Sequence, residues 1–170
     1  MSGLVSMVAL VAMQAQSSLA PELQPLASLI GHCWRATFPG TQYTDTHCWS
    51  AMPGGRQVRD RHVVHGAPGP YAGESIYRWD PESRRIRYDY YASDGGHSSG
   101  FVEASANRLS FPEEAYLSPA GQRMTLRSSI DWESPTAFTG ASAIRRGDTW
   151  QEVWRMRFDR VAAAPADLTP

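Results

Sequence analysis

Two histidines and an aspartate lie on segments in which apolar and polar residues alternate, and the alternation puts all three on one side. His47 belongs to one such segment, and Asp60 and His62 belong to the next. Successive side chains of a β-strand point to opposite faces, so Asp60 and His62 share a face. If residues 53–56 form the connecting loop, His47 lies directly opposite His62. Histidines beside a carboxylate can serve in acid–base chemistry, in metal binding or as the anchor of a ligand's polar group.

These chemistries differ in how well the sequence supports them. His47, His62 and Glu74 could bind a metal ion, but their spacing follows no ligand motif, so we expect no metal and no other cofactor. A haem would need a proximal histidine such as His47, His62 or His97. A histidine beside a carboxylate could also be the general base of an isomerase or hydrolase. Because the sequence has no nucleophile elbow, phosphate loop or Ser-His-Asp signature, a binding protein is the preferred interpretation over an enzyme.

The same alternation turns aromatic and acidic side chains towards the two histidines. The expected ligand-binding residues are His47, His62, Glu74, Trp34, Trp49, Tyr88, Tyr90, Glu152 and Trp154. Buried polar groups need partners, so this set either anchors a ligand or forms an internal network that only stabilises the fold. The internal network is the commoner arrangement of buried polar groups.

The elements that position these residues are short alternating segments separated by Gly, Pro, Asp or Ser. Strands are predicted from Trp34 onwards and over residues 43–51, 57–65, 72–79, 84–92, 99–104, 108–111, 122–132, 137–145 and 149–160. An open sheet of this size would leave unpaired edges. The pattern therefore predicts an all-β domain, a single antiparallel up-and-down β-barrel of about ten strands, with a central cup for a small molecule.

The two cysteines flank the first predicted hairpin. If residues 39–42 form its loop, Cys33 lies directly opposite Cys48, near the distance that a disulfide spans. Both cysteines fall on the face opposite Trp34 and Trp49, so the bridge would lie outside the cup. A disulfide indicates an oxidising compartment, whereas two buried thiols would be compatible with the cytosol.

The N-terminus has the pattern of an export signal. Residues 4–13 are an apolar run broken only by Ser6, too short to span a bilayer but typical of a signal-peptide core. We expect residues 1–20 to be a signal peptide, a periplasmic or secreted location, and no stable membrane span after its removal. The alternative is an amphipathic or buried N-terminal helix, because no Arg or Lys precedes the run.

The predicted barrel domain covers residues 21–160. It begins with a short helix over residues 21–30 that closes one end of the barrel, with an apolar face formed by Leu23, Leu26, Ala27 and Ile30. Residues 161–170 are rich in Ala and Pro and are predicted to be a disordered tail.

A short apolar helix that ends in Leu29-Ile30-Gly31, followed by Trp34 and a meander of strands, resembles the lipocalin-like (calycin-type) barrels, in particular small bacterial members of unknown function. In that family a Gly-x-Trp near the first strand packs against an arginine on the last strand. Gly31 and Trp34 are one residue further apart than in that pattern, and Arg155 is the candidate partner. The resemblance implies a barrel that holds a small apolar or amphipathic ligand, and it implies no catalytic residues.

Charge and composition limit the partners. The net charge is −1, and all 16 basic residues are scattered arginines, so there is no basic surface of the kind that binds nucleic acid.

Taken together, the predicted cup, the export signal and the resemblance favour an exported barrel that binds a small hydrophobic or amphipathic molecule. Two alternatives stay open: an enzyme that uses the histidine and carboxylate cluster, and an envelope protein whose barrel is packed solid.

Overall fold

The computed structural model describes residues 19–162, 164, 165 and 168, which form one closed ten-stranded antiparallel β-barrel. A 3₁₀ helix (Pro21–Leu26) precedes the strands. The strands are β1 (Cys33–Thr37), β2 (Thr44–Ala51), β3 (Gln57–His65), β4 (Tyr71–Asp80), β5 (Arg85–Ala92), β6 (His97–Ser105), β7 (Arg108–Leu117), β8 (Arg123–Ser134), β9 (Ala137–Arg146) and β10 (Thr149–Val161). Each strand pairs with its neighbours in sequence, and β1 pairs with β10 to close the barrel. The predicted fold class is confirmed.

The β2–β3 turn sets the register of the strands that carry the histidines. Gly54 and Gly55 both have a positive φ, of 87° and 66°, a backbone region that residues with a side chain seldom adopt. This tight turn places His47 directly opposite His62. The register predicted from the loop at residues 53–56 is therefore confirmed.

The 3₁₀ helix closes the end of the barrel at which the β2–β3 turn lies. Leu23, Leu26 and Leu29 are completely buried there, and Ala20 donates a backbone hydrogen bond to Gly55 O. A spacing of three residues brings side chains onto one line of a 3₁₀ helix, which has three residues per turn. The predicted short helix before the barrel is confirmed, with Leu23 and Leu26 buried. It is a 3₁₀ helix that ends at Leu26, so the predicted place of Ala27 on its apolar face is wrong, since Ala27 is exposed.

The disulfide between Cys33 and Cys48 joins β1 to β2. The two residues are directly opposed in the register, with their Cα atoms 4.1 Å apart. Trp34, the neighbour of Cys33, points the other way and is completely buried. The predicted pairing of Cys33 with Cys48 and its position on the outer face of the barrel are confirmed.

Irregularities in β7 and β10 change which residues face inwards. In β10 the register shifts between Glu152, which lies opposite Ala143, and Trp154, which lies opposite Ser142. A bulge adds one residue to a strand and so reverses the alternation on one side of it. Glu152 therefore faces outwards and contacts Arg155, and its predicted place in the cup is wrong.

The alternation in β4 also differs from the prediction. His62 lies opposite Gly73, so Gly73 faces inwards and Glu74 faces outwards, where its carboxylate lies 3.3 Å from Arg59 Nε. The predicted inward position of Glu74 is wrong. β4 carries apolar residues on both faces, including Ile76 on the outer one, so the pattern of this strand alone does not identify the buried face.

The chain ends lie only in part within the described residues. The predicted signal peptide at residues 1–20 falls almost entirely on residues 1–18, which lie outside them, as do residues 163, 166, 167, 169 and 170 of the predicted tail. Leu168 is buried, and Arg61 donates a hydrogen bond to its carbonyl oxygen. Among the described residues, no helix has the length and apolar character needed to cross a membrane.

Candidate functional site: an aromatic cavity with a histidine–aspartate cluster

The barrel contains a partly open cavity of about 580 Å³ in the part of its interior that lies away from the 3₁₀ helix. Its wall is mainly aromatic and aliphatic. The aromatic members are Phe38, Tyr43, Trp49, Tyr71, Tyr77, Tyr88, Tyr90, Phe111, Tyr116, Phe138, Trp154 and Phe158. The charged or titratable members besides the tyrosines are Asp45, His47, Asp60, His62 and Glu114. Protein cavities that hold small molecules have this size and this combination of an apolar wall with a few polar groups.

The polar groups meet in one hydrogen-bonded cluster on β2 and β3. Asp45 contacts both histidines: its Oδ1 lies 2.9 Å from His62 Nδ1 and its Oδ2 lies 3.3 Å from His47 Nε2. The other ring nitrogen of His47 lies 2.7 Å from Asp60 Oδ2. The two imidazole rings stack with their centroids 4.5 Å apart. The strands therefore hold four titratable side chains in a fixed arrangement at the cavity wall.

Two tyrosines extend the cluster. Tyr90 Oη lies 3.0 Å from His62 Nε2 and 2.9 Å from Tyr71 Oη. Gly73 makes room for this contact, because a Cβ atom there would lie only 2.4 Å from Tyr90 Oη and 2.6 Å from His62 Nε2. A glycine at the position opposite His62 is thus a steric requirement of the hydrogen bond between His62 and Tyr90.

Burial and charge together set the protonation of the cluster. Burial by itself would raise the pKa of Asp45, but the charge and hydrogen bonds of His47, with those of His62, hold it well below its usual range. Burial would lower the pKa of His47, but the charges of Asp60 and Asp45 raise it well above its ordinary value. Burial, and then the hydrogen bond with Tyr71, raise the pKa of Tyr90, so this phenol is neutral.

A second polar contact lies across the cavity on β6 and β7. Ser98 donates a hydrogen bond to Glu114, and burial raises the pKa of the Glu114 carboxyl. Tyr88 Oη and Asp60 Oδ1 are buried without a hydrogen-bond partner among the described residues. A buried polar atom without a partner is costly, so both atoms are available to a bound molecule or to water.

The structure brings together six of the nine predicted ligand-binding residues. His47, His62, Trp49, Tyr88, Tyr90 and Trp154 all line the cavity. Glu74 and Glu152 are on the outer face, as described above. Trp34 does not line the cavity. Its ring packs against Trp132 and Phe138, and its Nε1 donates a hydrogen bond to Leu29 O.

The predicted contact between Trp34 and Arg155 is wrong. Arg155 is on the outer face of β10, where its guanidinium contacts the carboxylate of Glu152. The residue of β10 that lies opposite Trp34 is Arg160, at the far end of the same strand. Arg155 is too far along β10 from the strand end that meets β1 to pack on this tryptophan.

The sequence interpretation also missed residues that belong to the site. The inward position of Asp45 can be predicted from its spacing, because it stands two residues before His47 on the same strand face. The inward position of Glu114 cannot be predicted in this way, because the register of β7 shifts between Phe111 and Glu114 and brings both residues to the inner face. Tyr71 lies at the start of β4, just before the strand as predicted.

Comparison with known proteins supports the architecture alone. The crystal structure of Rv2717c from M. tuberculosis aligns with a TM-score of 0.60, covering 85% of this chain and 99% of that chain, at 16% sequence identity. No family model and no curated protein sequence matches the chain. The lipocalin-like resemblance is thus supported as a closed ten-stranded antiparallel barrel, and membership of that family is not shown.

Proposed function

We propose that the barrel binds a small amphipathic molecule whose polar head is neutral or cationic and donates hydrogen bonds. The observation that carries this proposal is the composition of the cavity wall. The wall is predominantly aromatic, and its polar part holds three carboxyl groups, of Asp45, Asp60 and Glu114, beside His47 and His62.

The charges near the head-group position favour donors over anions. No arginine is among the described residues that line the cavity, although the chain has 16 arginines. Asp60 Oδ1 is buried and accepts no hydrogen bond from any residue that the structure describes. At Asp60 Oδ1 a carboxylate or phosphate head would meet another acceptor, whereas an ammonium or hydroxyl head would supply the missing donor. Aromatic faces such as those of Trp49 and Tyr88 also attract a cation.

The enzyme alternative receives less support from the same geometry. Both ring nitrogens of His47 are hydrogen bonded to carboxylates, and both ring nitrogens of His62 are bonded to Asp45 and Tyr90. A general base needs a free nitrogen within reach of the substrate's proton. Neither histidine therefore has a ring nitrogen that is free for this role.

We also propose that the protein acts outside the cytoplasm. The disulfide between Cys33 and Cys48 is compatible with an oxidising compartment such as the periplasm or the extracellular space. The signal peptide predicted at residues 1–20 is the second reason.

Competition between ligands of one chain length tests the head-group preference. Dodecylamine, dodecanol and dodecanoate would compete with an uncharged fluorescent probe in the presence of EDTA, with tryptophan quenching as the readout. We expect the amine and the alcohol to displace the probe at lower concentration than dodecanoate. Failure of the probe to bind, or equal competition by dodecanoate and the amine, would overturn the proposal.

A matched pair of variants locates the head group. Asp60→Asn removes one inward-facing charge while keeping the size of the side chain, and Asp89→Asn makes the same change at a residue that contacts Arg87 outside the cavity. A hydrogen bond to a charged group contributes about 1.5–3 kcal/mol, so Asp60→Asn should weaken amine binding roughly tenfold to hundredfold. Asp89→Asn should leave it unchanged, and equal effects of the two variants would contradict the assignment.

A further inference from the structure

We propose that Asp45, His47 and His62 form a binding site for one divalent transition-metal ion, such as Zn²⁺, with its remaining coordination position open to the cavity. The proposal departs from the sequence interpretation, which expected no metal, because that interpretation paired the histidines with Glu74 rather than with Asp45. It does not rest on the amphipathic ligand, since the ion needs only the three protein donors.

The donor atoms already converge. One ligand atom from each of the three residues lies within 4.8 Å of the others. Asp45 oxygens lie 2.9 Å from His62 Nδ1 and 3.3 Å from His47 Nε2. Zinc–nitrogen and zinc–oxygen bonds of about 2.0–2.2 Å in a tetrahedron separate neighbouring ligand atoms by about 3.4 Å. The two imidazole rings are stacked almost parallel, so an ion can replace the hydrogen bonds between these side chains once the rings tilt until both nitrogens point at it.

The second ring nitrogen of each histidine also has a hydrogen-bond partner, as is general for histidines that bind a metal. His47 contacts Asp60 Oδ2 through Nδ1 at 2.7 Å, and His62 contacts Tyr90 Oη through Nε2 at 3.0 Å. Such contacts orient the ring and increase the basicity of the nitrogen that faces the metal. In both residues the nitrogen that is left to face Asp45 is the one that would bind the ion.

The surroundings favour a site with an open position. The three residues lie on the adjacent strands β2 and β3, whose register the Gly54–Gly55 turn sets, and all three line the cavity. Among the described residues the group has three donors and no fourth. Zinc with three protein ligands accepts water or another small molecule at its fourth position, and here that position would face the aromatic wall.

Direct metal binding tests this site. Tag-free full-length protein, stripped with EDTA and dialysed, would be titrated with Co²⁺ and Zn²⁺, and followed by the visible absorption of Co²⁺ and by native mass spectrometry. We expect one equivalent of each ion to bind, with a tetrahedral Co²⁺ spectrum. The absence of a one-to-one complex with the folded protein would overturn the proposal, whatever the result with the dodecyl ligands.

Variants assign the ion to the three residues. Asp45→Asn and His62→Ala should each abolish the Co²⁺ spectrum, while His97→Ala removes an exposed histidine of β6 and should leave it unchanged. Asp60→Asn, which removes the charged partner of His47, should weaken Zn²⁺ binding by about 10- to 100-fold without abolishing it. Urea unfolding of each variant shows that it is folded. An unaltered spectrum in Asp45→Asn or in His62→Ala would place the ion elsewhere and refute the assignment.

Discussion

The contact between Gly73 and the His62–Tyr90 pair gives a prediction that can be worked out from the structure. In Gly73→Ala the new Cβ atom would lie 2.4 Å from Tyr90 Oη and 2.6 Å from His62 Nε2, distances that carbon atoms do not tolerate. The φ of Gly73 is not in the left-handed region, so alanine meets no backbone strain there. In the folded state the effect of the substitution is therefore the displacement of Tyr90 or His62.

The expected loss of stability follows from two opposing contributions. Overpacking a filled site by one methyl group costs about 1–3 kcal/mol. Replacing glycine restricts the unfolded chain and returns about 0.4–1 kcal/mol. We expect the free energy of unfolding of Gly73→Ala to fall by about 1–2 kcal/mol in urea titrations followed by tryptophan fluorescence. Gly69→Ala is the control, because nothing lies within 4 Å of its new Cβ atom, and it should be neutral or slightly stabilising.

A double-mutant cycle identifies the neighbour that causes the loss. In a Tyr90→Ala background the tyrosine atoms that oppose the new methyl group are gone, so the cost of Gly73→Ala should fall by more than about 0.5 kcal/mol. If Gly73→Ala and Gly69→Ala have the same effect on the free energy of unfolding, or if the cycle shows no coupling, the reasoning about the space around Tyr90 is wrong.

Two further predictions concern the disulfide and the buried glutamate. Alkylation without reduction should label neither Cys33 nor Cys48 in protein recovered from an oxidising compartment, and labelling of both thiols would contradict the pairing. The Cys33→Ala/Cys48→Ala variant should lose about 3 kcal/mol in its free energy of unfolding, because the disulfide closes a loop of about 15 residues. Burial raises the pKa of Glu114 in the folded state above its ordinary value of 4.5. Between these two pKa values the folded protein binds more protons than the unfolded chain, so the wild type should lose stability as the pH rises. Relative to Glu114→Gln, the loss should be at most about 1.4 kcal/mol per pH unit. A difference between these two proteins that does not change with pH would show that the carboxyl is not perturbed.

The sequence alone predicts strand pairing correctly wherever a short turn fixes the register. The loops after β1 and β2 are short and rich in Gly and Pro, and counting outwards from them places Cys33 opposite Cys48 and His47 opposite His62, as the structure has them. Pairing in a hairpin is determined by the length of its turn, so local information is enough.

The sequence alone does not predict which residues face the cavity wherever a strand carries an extra residue. The shift between Glu152 and Trp154 removes Glu152 from the cavity, and the shift between Phe111 and Glu114 brings Glu114 into it. A bulge leaves no periodic signal of its own, because the alternation on each side of it is normal. The acidic side of the cavity was therefore assigned to the wrong carboxylates, although the aromatic wall was largely correct.

The size of the cavity bears on what the native protein contains. The cavity of about 580 Å³ is partly open to solvent, and its wall combines aromatic side chains with a few polar groups, so water or a small molecule can occupy it. The described side chains leave this space unfilled, which weighs against the third alternative, a barrel packed solid. Under the proposed function, a bound molecule would have to satisfy both an apolar wall and Asp60 Oδ1, which has no hydrogen-bond partner among the described residues. Water satisfies only the second of these, whereas an amphipathic molecule satisfies both, which is why the ligand competition and the metal titration are the experiments that bear most directly on function.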